Sequence, residues 1–372
     1  MKKNNKLAMS ILLLVVLFCL GGCTQRSGLS PETPAPIEEP VTVPEAEVTA
    51  EPEPEPTPEP TPEPTAEPAP AFVNPLTGET VEEDISALRP FAVQMNNHQQ
   101  ALPQCGISKA AVIYEMPEEG ITRMTAIFPQ TVDCEAIGSI RSARPYHTEV
   151  AKSYDAIFVH WGASTRGYDK IYQIYSGDDI DFCMNDAAPY SYREPSRANR
   201  ATEHTGFAKV ERLRDFLSDF SRRSTHEGEK DYGFRFSDSV ELNGGNAEKM
   251  SVFFASKESN FTYHAERGCY TMSQYNGTEY VDGDTNEPVE FKNVLFLRSE
   301  ISDENSLASI ALYNAKGSGV LCCNGKQEPI SWEHGEYDDC FHYYRSDGSE
   351  LAFGVGRSYI GIISYSDTLT IQ

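Results

Sequence analysis

The chain has no Cys-X-X-Cys pair, no His-Glu-X-X-His and no EF-hand loop, although it holds nine cysteines and eight histidines. These absences remove the ligand spacings of zinc ribbons, zinc proteases and calcium loops, and the dithiol of a thioredoxin-type redox site. No metal and no cofactor is expected. Basic residues are few: 31 Lys and Arg stand against 56 Asp and Glu, a net charge of −25. A surface of that sign repels polyphosphates, so nucleic acid is not expected as a partner. The mostly apolar run over residues 7–20 falls short of the ~20 apolar residues a spanning helix needs. No internal repeat is visible.

What is present at the start is an export signal. Lys2, Lys3 and Lys6 precede the apolar run, which ends in Leu20-Gly21-Gly22-Cys23. That ending resembles a bacterial lipobox, which implies cleavage after residue 22 and lipidation of Cys23. Several acyl chains on one cysteine anchor a protein stably, where one chain binds only marginally. The expected location is the extracytoplasmic face of the cell membrane. Residues 24–71 are a different polymer, with 14 of the 24 prolines, 11 acidic residues and one base, Arg26. Such a chain favours polyproline II and has no core to bury. At ~3.1 Å per residue it reaches on the order of 150 Å. It reads as a disordered stalk.

Residues 72–372 carry a net charge of −18 and are long enough for two domains. Residues 72–230 mix strands and helices. Strands are expected over 91–95, 110–116, 121–128 and 156–159, and helices over 145–154, 164–175 and 207–220. Residues 178–202 are polar and read as a loop or lid. Residues 231–372 are β-rich and read as antiparallel, with Asn-Gly and Asp-Gly turns between short strands. Seven cysteines follow Cys23, an odd number that leaves at least one thiol unpaired in a monomer. Cys322 and Cys323 are neighbours on an expected strand and point to opposite faces, so at most one pairs easily with Cys340.

Five stretches carry a resemblance: "NPLTG" at 74–78, "RPFAVQMNNH" at 89–98, "YEMPEEGITR" at 114–123, "GSIRSARPY" at 138–146 and "YDAIFVHWGAS" at 154–164. With "GSGVLCCNGKQEPISW" at 317–332 and "DGSELAFGVGRSYIGII" at 347–363, they resemble the YerB-like bacterial lipoproteins, a family of uncharacterised function. The resemblance implies an α+β fold: a layered ββα sandwich in the N-terminal domain, and a β-rich C-terminal domain. It implies no reaction and no catalytic residues. Trp161 departs from the family, which has a small residue there. "ATEHTGFA" keeps only His204 of that region's pattern.

The candidate chemistry centres on Arg141 and Arg144. Pro145 suits the first position of a helix, whose N-terminus offers free N–H groups and partial positive charge. Two guanidiniums and the Ser142 hydroxyl beside it suit a phosphate, sulfate or carboxylate. Equally, Glu115, Glu118 or Glu119 can pair with these arginines inside the fold. His160 ends a buried strand, as a general base or as a satisfied structural histidine. Asn97 follows a strand end, where an amide binds a sugar or caps a turn. Arg123 and His204 complete the ligand-binding set. Ser164 misses the nucleophile-elbow spacing by one residue.

The sequence therefore reads as a tethered lipoprotein that binds a cell-envelope ligand, an anionic glycan or a protein partner. The alternatives are a hydrolase or transferase of envelope polymers using Arg141, Arg144, His160 and Glu115, and a scaffold within an envelope complex. Cys23→Ser is expected to abolish lipid attachment and to release the protein or leave it uncleaved. Unchanged, detergent-dependent membrane association of that variant contradicts the anchor.

Overall fold

The computed structural model describes residues 71–254, 257–304 and 307–372. The expected signal peptide, Cys23 and all but the last residue of the stalk lie outside them. The organising unit is a hairpin of β2 (Val112–Glu118) and β3 (Ile121–Phe128). Glu119 and Gly120 close it, and Gly120 takes φ 76°, the left-handed conformation that glycine adopts without a Cβ penalty. β1 (Phe91–Asn96) lies antiparallel on β3, and β4 (Ile157–His160) lies parallel on β1. β5 (Asp179–Asp181) ends this side of the sheet. It falls where the sequence reads as a polar loop, because three residues are too few to show a period.

On its other side the hairpin is continued by strands from the second half of the chain. β6 (Lys249–Phe254), β7 (Lys257–His264) and β8 (Cys269–Gln274) form a separate sheet, described below. The main sheet takes β9 (Asn293–Ser299), β10 (Ala315–Cys323), β11 (Lys326–His334), β12 (His342–Arg345) and β13 (Ser358–Ser364). Its order is β12-β11-β10-β9-β13-β2-β3-β1-β4-β5. β13 is the seam: it pairs in parallel with β9 and with β2, from Ser358 opposite Val112 to Gly361 opposite Glu115. The second half is thus mostly antiparallel, with a parallel pair at its centre. β11 carries Pro329 within it. Pro329 pairs only with β10, beyond the end of β12, where that side of the strand is an edge.

Strand alternation gives the sheet two buried faces. Helices α1 (Pro145–Ser153) and α2 (Thr165–Ile174) belong to the face built on Ala92, Tyr114, Phe158, Ile360 and Ile362. Helix α3 (Val210–Asp219) and the second sheet share the face built on Val93, Ile113, Phe296 and Tyr359. That second sheet runs β8-β7-β6-β14, where β14 is Leu369–Ile371. Burial on both faces explains the nearly unbroken apolar runs of β1, β4 and β13. Each fully buried large side chain contributes about 1.5–3 kcal/mol. The expected helix over 207–220 begins only at Val210. Gly206–Lys209 before it is a strand that pairs with Ala136–Gly138. All seven cysteines among the described residues are free thiols, Cys322, Cys323 and Cys340 included.

Candidate functional site

Residues 139–143 thread between the end of β1 and the turn after β4. Arg141 N donates to Gln94 O at 2.7 Å, and Trp161 N donates to Arg141 O at 3.0 Å. Ala143 N donates to Gly162 O at 2.9 Å. Arg144 is extended at φ −126°, as a residue before proline must be, and Pro145 opens α1. The helix N-terminus is closed from within: Arg144 N donates to His147 Nδ1 at 3.1 Å. His147 is fully buried, its Nε2 has no partner, and burial with two arginines nearby holds it well below its ordinary pKa.

Arg144 belongs to an ion-pair cluster at the tip of the hairpin. It grips Glu119 with two bonds, Nε to Oε1 at 2.9 Å and Nη2 to Oε2 at 2.7 Å, and also meets Glu118. Arg123 meets Glu118 through Nε and donates to Ser142 Oγ at 3.0 Å and to the Ser142 carbonyl. Burial pushes Glu118 up to about 8 against the pull of Arg123 and Arg144. Burial alone would raise Glu119 too, but hydrogen bonds from Arg144 and Glu118 overcome it and hold the group at about 2. Arg123, Ser142 and Arg144 are therefore engaged with one another and with Glu118 and Glu119.

Glu115 points from the opposite face of the same hairpin. Lys257 Nζ donates to Glu115 Oε1 at 2.6 Å, with 1% and 0% of the two side chains exposed. Thr122 and Asn97 also donate to Oε1, at 2.5 and 3.1 Å, and Tyr359 donates to Oε2 at 2.8 Å. Gln274 Oε1 accepts from both Lys257 Nζ, at 2.7 Å, and Asn97 Nδ2, at 3.2 Å. Asn97 is thus an interior amide, neither exposed to a sugar nor capping a turn. Lys257, Gln274 and Tyr359 carry no motif. The one signal for Lys257 is its place in "KESNFTYH", on the inward parity it shares with Ser259 and Phe261.

His160 is also interior: its ring nitrogens face Gly162 O at 2.9 Å and Asp179 Oδ2 at 3.0 Å. A groove of about 670 Å³ is lined by Asp155, Arg223, His226, Cys340 and His342 and holds none of the candidate ligand-binding residues. Cys340 Sγ lies 3.6 Å from His342 Nε2 there, but burial raises the thiol above its ordinary range, the opposite of nucleophile activation.

Arg141 differs from these. It is the one arginine among the described residues whose side chain makes neither a hydrogen bond nor an ion pair. It is half-buried, near enough to Arg123, Arg193 and His204 to disfavour their charged forms. Glu203 is the acid that feels its charge. His204 stacks on His98 at 4.8 Å, and its Nδ1 meets Asn96 Nδ2 at 2.9 Å. Arg193 lies 3.8 Å over the Trp161 ring, and Trp161 packs on Gly206, where a Cβ would come within 2.5 Å of the indole.

Arg144→Gln is expected to leave Glu118 buried with one cation fewer and to lower unfolding free energy by about 3–5 kcal/mol. The wild type should lose stability as pH falls from the ordinary carboxyl range, 4.5, towards 2, because Glu119 is held down only in the folded state. The variant should lose less over that interval. Urea melts above pH 8, where Glu118 is ionised, measure the first effect, and melts from pH 4.5 down to 2 measure the second. A cost below about 1 kcal/mol, the range of an exposed pair, contradicts the assignment.

Two family models match this chain, both described as protein of unknown function (DUF3048): the N-terminal domain over residues 76–223 and the C-terminal domain over residues 250–360. YerB of Bacillus subtilis (strain 168), named as a candidate lipoprotein, is 28% identical over 313 residues, covering 80% of this chain and 88% of YerB. The crystal structure of YerB from Bacillus subtilis superposes with a TM-score of 0.68 at 24% identity, covering 80% of this chain and 99% of that one, and so supports the fold. The motif series, the paired family domains and the shared fold agree: the chain belongs to the YerB-like family.

Proposed function

We propose that this protein is a membrane-tethered lipoprotein whose folded part binds an anionic ligand of the cell envelope at Arg141, on the extracytoplasmic side. The tether reading rests on the lipobox at Leu20-Gly21-Gly22-Cys23 and on the lipoprotein name given to its Bacillus relative. The observation that carries the binding reading is the uncompensated guanidinium. In a chain with 56 acidic residues, the arginines around Arg141 find carboxylates, carbonyls or an aromatic face. Arg141 makes no such contact; Glu203 is near enough to feel its charge, and the cations Arg123 and Arg193 lie close by. A half-buried guanidinium left open in such a field favours a carboxylate, sulfate or phosphate group.

The hydrolase or transferase reading loses its constellation. Glu115 is satisfied by Lys257, Arg144 by Glu119, and His160 by Asp179. A group that must hold or move a proton on a substrate needs contact with it.

Addition of sulfate, phosphate or an anionic glycan fragment is expected to raise the unfolding free energy by about 2.7 kcal/mol at one hundred times the dissociation constant. The gain should shrink with added salt, since the site is only half-buried. Arg141→Gln should abolish the gain and change stability without anion by no more than about 0.5 kcal/mol. Thermal melts of both forms, with and without anion, decide the matter. An equal anion response in the variant contradicts the site, and no response in the wild type favours the scaffold.

A further inference from the structure

We propose that Lys257 and Asn97 form an intramolecular isopeptide bond, with Glu115 as the proton carrier, tying the hairpin sheet to the second sheet covalently. The inference is independent of the anion site at Arg141. Its basis is the arrangement of three buried side chains. Lys257 Nζ and Asn97 Nδ2 both donate to the same two oxygens, Glu115 Oε1 and Gln274 Oε1. The amine and the carboxamide are therefore neighbours around one carboxylate. Asn97, Glu115, Thr122, Gln274 and Lys257 are all 3% exposed or less, so water does not compete for the carboxamide.

The chemistry balances without any outside reagent. The proton shared by the Lys257–Glu115 pair moves from Nζ to Oε1 across 2.6 Å, leaving a neutral amine. Burial pushes the Lys257 amine below its ordinary range, against the pull of Glu115, which favours this form. The Nζ lone pair attacks Asn97 Cγ, and a C–N bond forms as the carbonyl π pair moves onto Oδ1. Gln274 Nε2 already donates to Oδ1 at 3.1 Å, where that negative charge develops. Glu115 gives its proton to Nδ2 and takes the remaining one from Nζ. The Cγ–Nδ2 bond then breaks and ammonia leaves. One amide replaces another, nothing is oxidised or reduced, and Glu115 ends as a neutral carboxylic acid that holds the last of the five protons Nζ and Nδ2 carried at the start. Phe254 and Tyr275, whose ring centres each lie 5.6 Å from Nζ, help to close the pocket around the amine.

Such a bond suits an exported protein, in which it would hold the two sheets together through unfolding and proteolysis. The test is mass spectrometry of the reduced, denatured, trypsin-digested full-length protein. The expected result is one branched fragment joining the Asn97 and Lys257 peptides. It should be lighter by one ammonia than the two peptides together, with no cut after Lys257. Glu115→Gln should yield the two peptides unlinked. Separate Asn97 and Lys257 peptides at their sequence masses in the wild type overturn the proposal. So do a link from Lys257 to Gln274 and a link lighter by one water, which would place Glu115 in the bond. A linked Glu115→Gln protein overturns the role given to the carboxylate. The wild-type digest alone decides whether the bond exists, whether or not the variant folds.

Discussion

The contact between Glu115 and Lys257 governs how the two sheets of this protein meet. Taking both charges out of water costs several kcal/mol each, and attraction between them offsets that only if the remaining hydrogen-bonding sites are filled. Here they are filled. Thr122, Asn97 and Tyr359 complete the carboxylate, and Ser259 and Gln274 complete the ammonium. The ligands come from β1's end, the hairpin, β7, β8 and β13, so the second half of the chain must dock in one register. A slip of one residue in β7 would turn Lys257 outward and strand the carboxylate.

The same hairpin carries its second polar cluster on the other face. Glu115 and Thr122 point towards the second sheet, while Glu118 and Arg123 point towards α1 and the loop before it. The alternation of β2 and β3 separates them. The second cluster consumes Arg123, Ser142 and Arg144 and closes the N-terminus of α1 through His147. What remains open is Arg141, whose backbone is fixed between Gln94 and Trp161 while its side chain has no partner. A backbone hydrogen-bonded on both sides beneath a guanidinium with no side-chain partner suits the anion site proposed for Arg141, since little order would have to be imposed when a ligand arrives.

Much of this was legible in the sequence, and the rest was hidden for physical reasons. The hairpin, α1 and the buried strand ending at His160 follow from period and turn chemistry. The pairing of Arg144 with Glu118 or Glu119 was one of two readings that local pattern could not separate, because the acids sit 25 and 26 residues upstream. Asn97 looked like a turn residue because its partners, Lys257 and Gln274, are far along the chain. The insertion of β13 between β9 and β2 was invisible for the same reason: parallel pairing leaves no local turn signal. Pro329 is tolerated inside β11 only because β12 ends short of it, a fact of a neighbouring strand's length that no local pattern shows.

The central claim is that the buried pair, satisfied on every side, holds the two sheets in register. Equilibrium unfolding of Lys257→Met, Glu115→Leu and the double variant, all in an Asn97→Ala background where no isopeptide bond can form and with that background as the reference, tests it most directly. Each single change should cost about 3–5 kcal/mol by stranding a buried polar group, and the double variant should cost clearly less than the two together. Single variants within about 0.5 kcal/mol of that background, or costs that simply add, would contradict it.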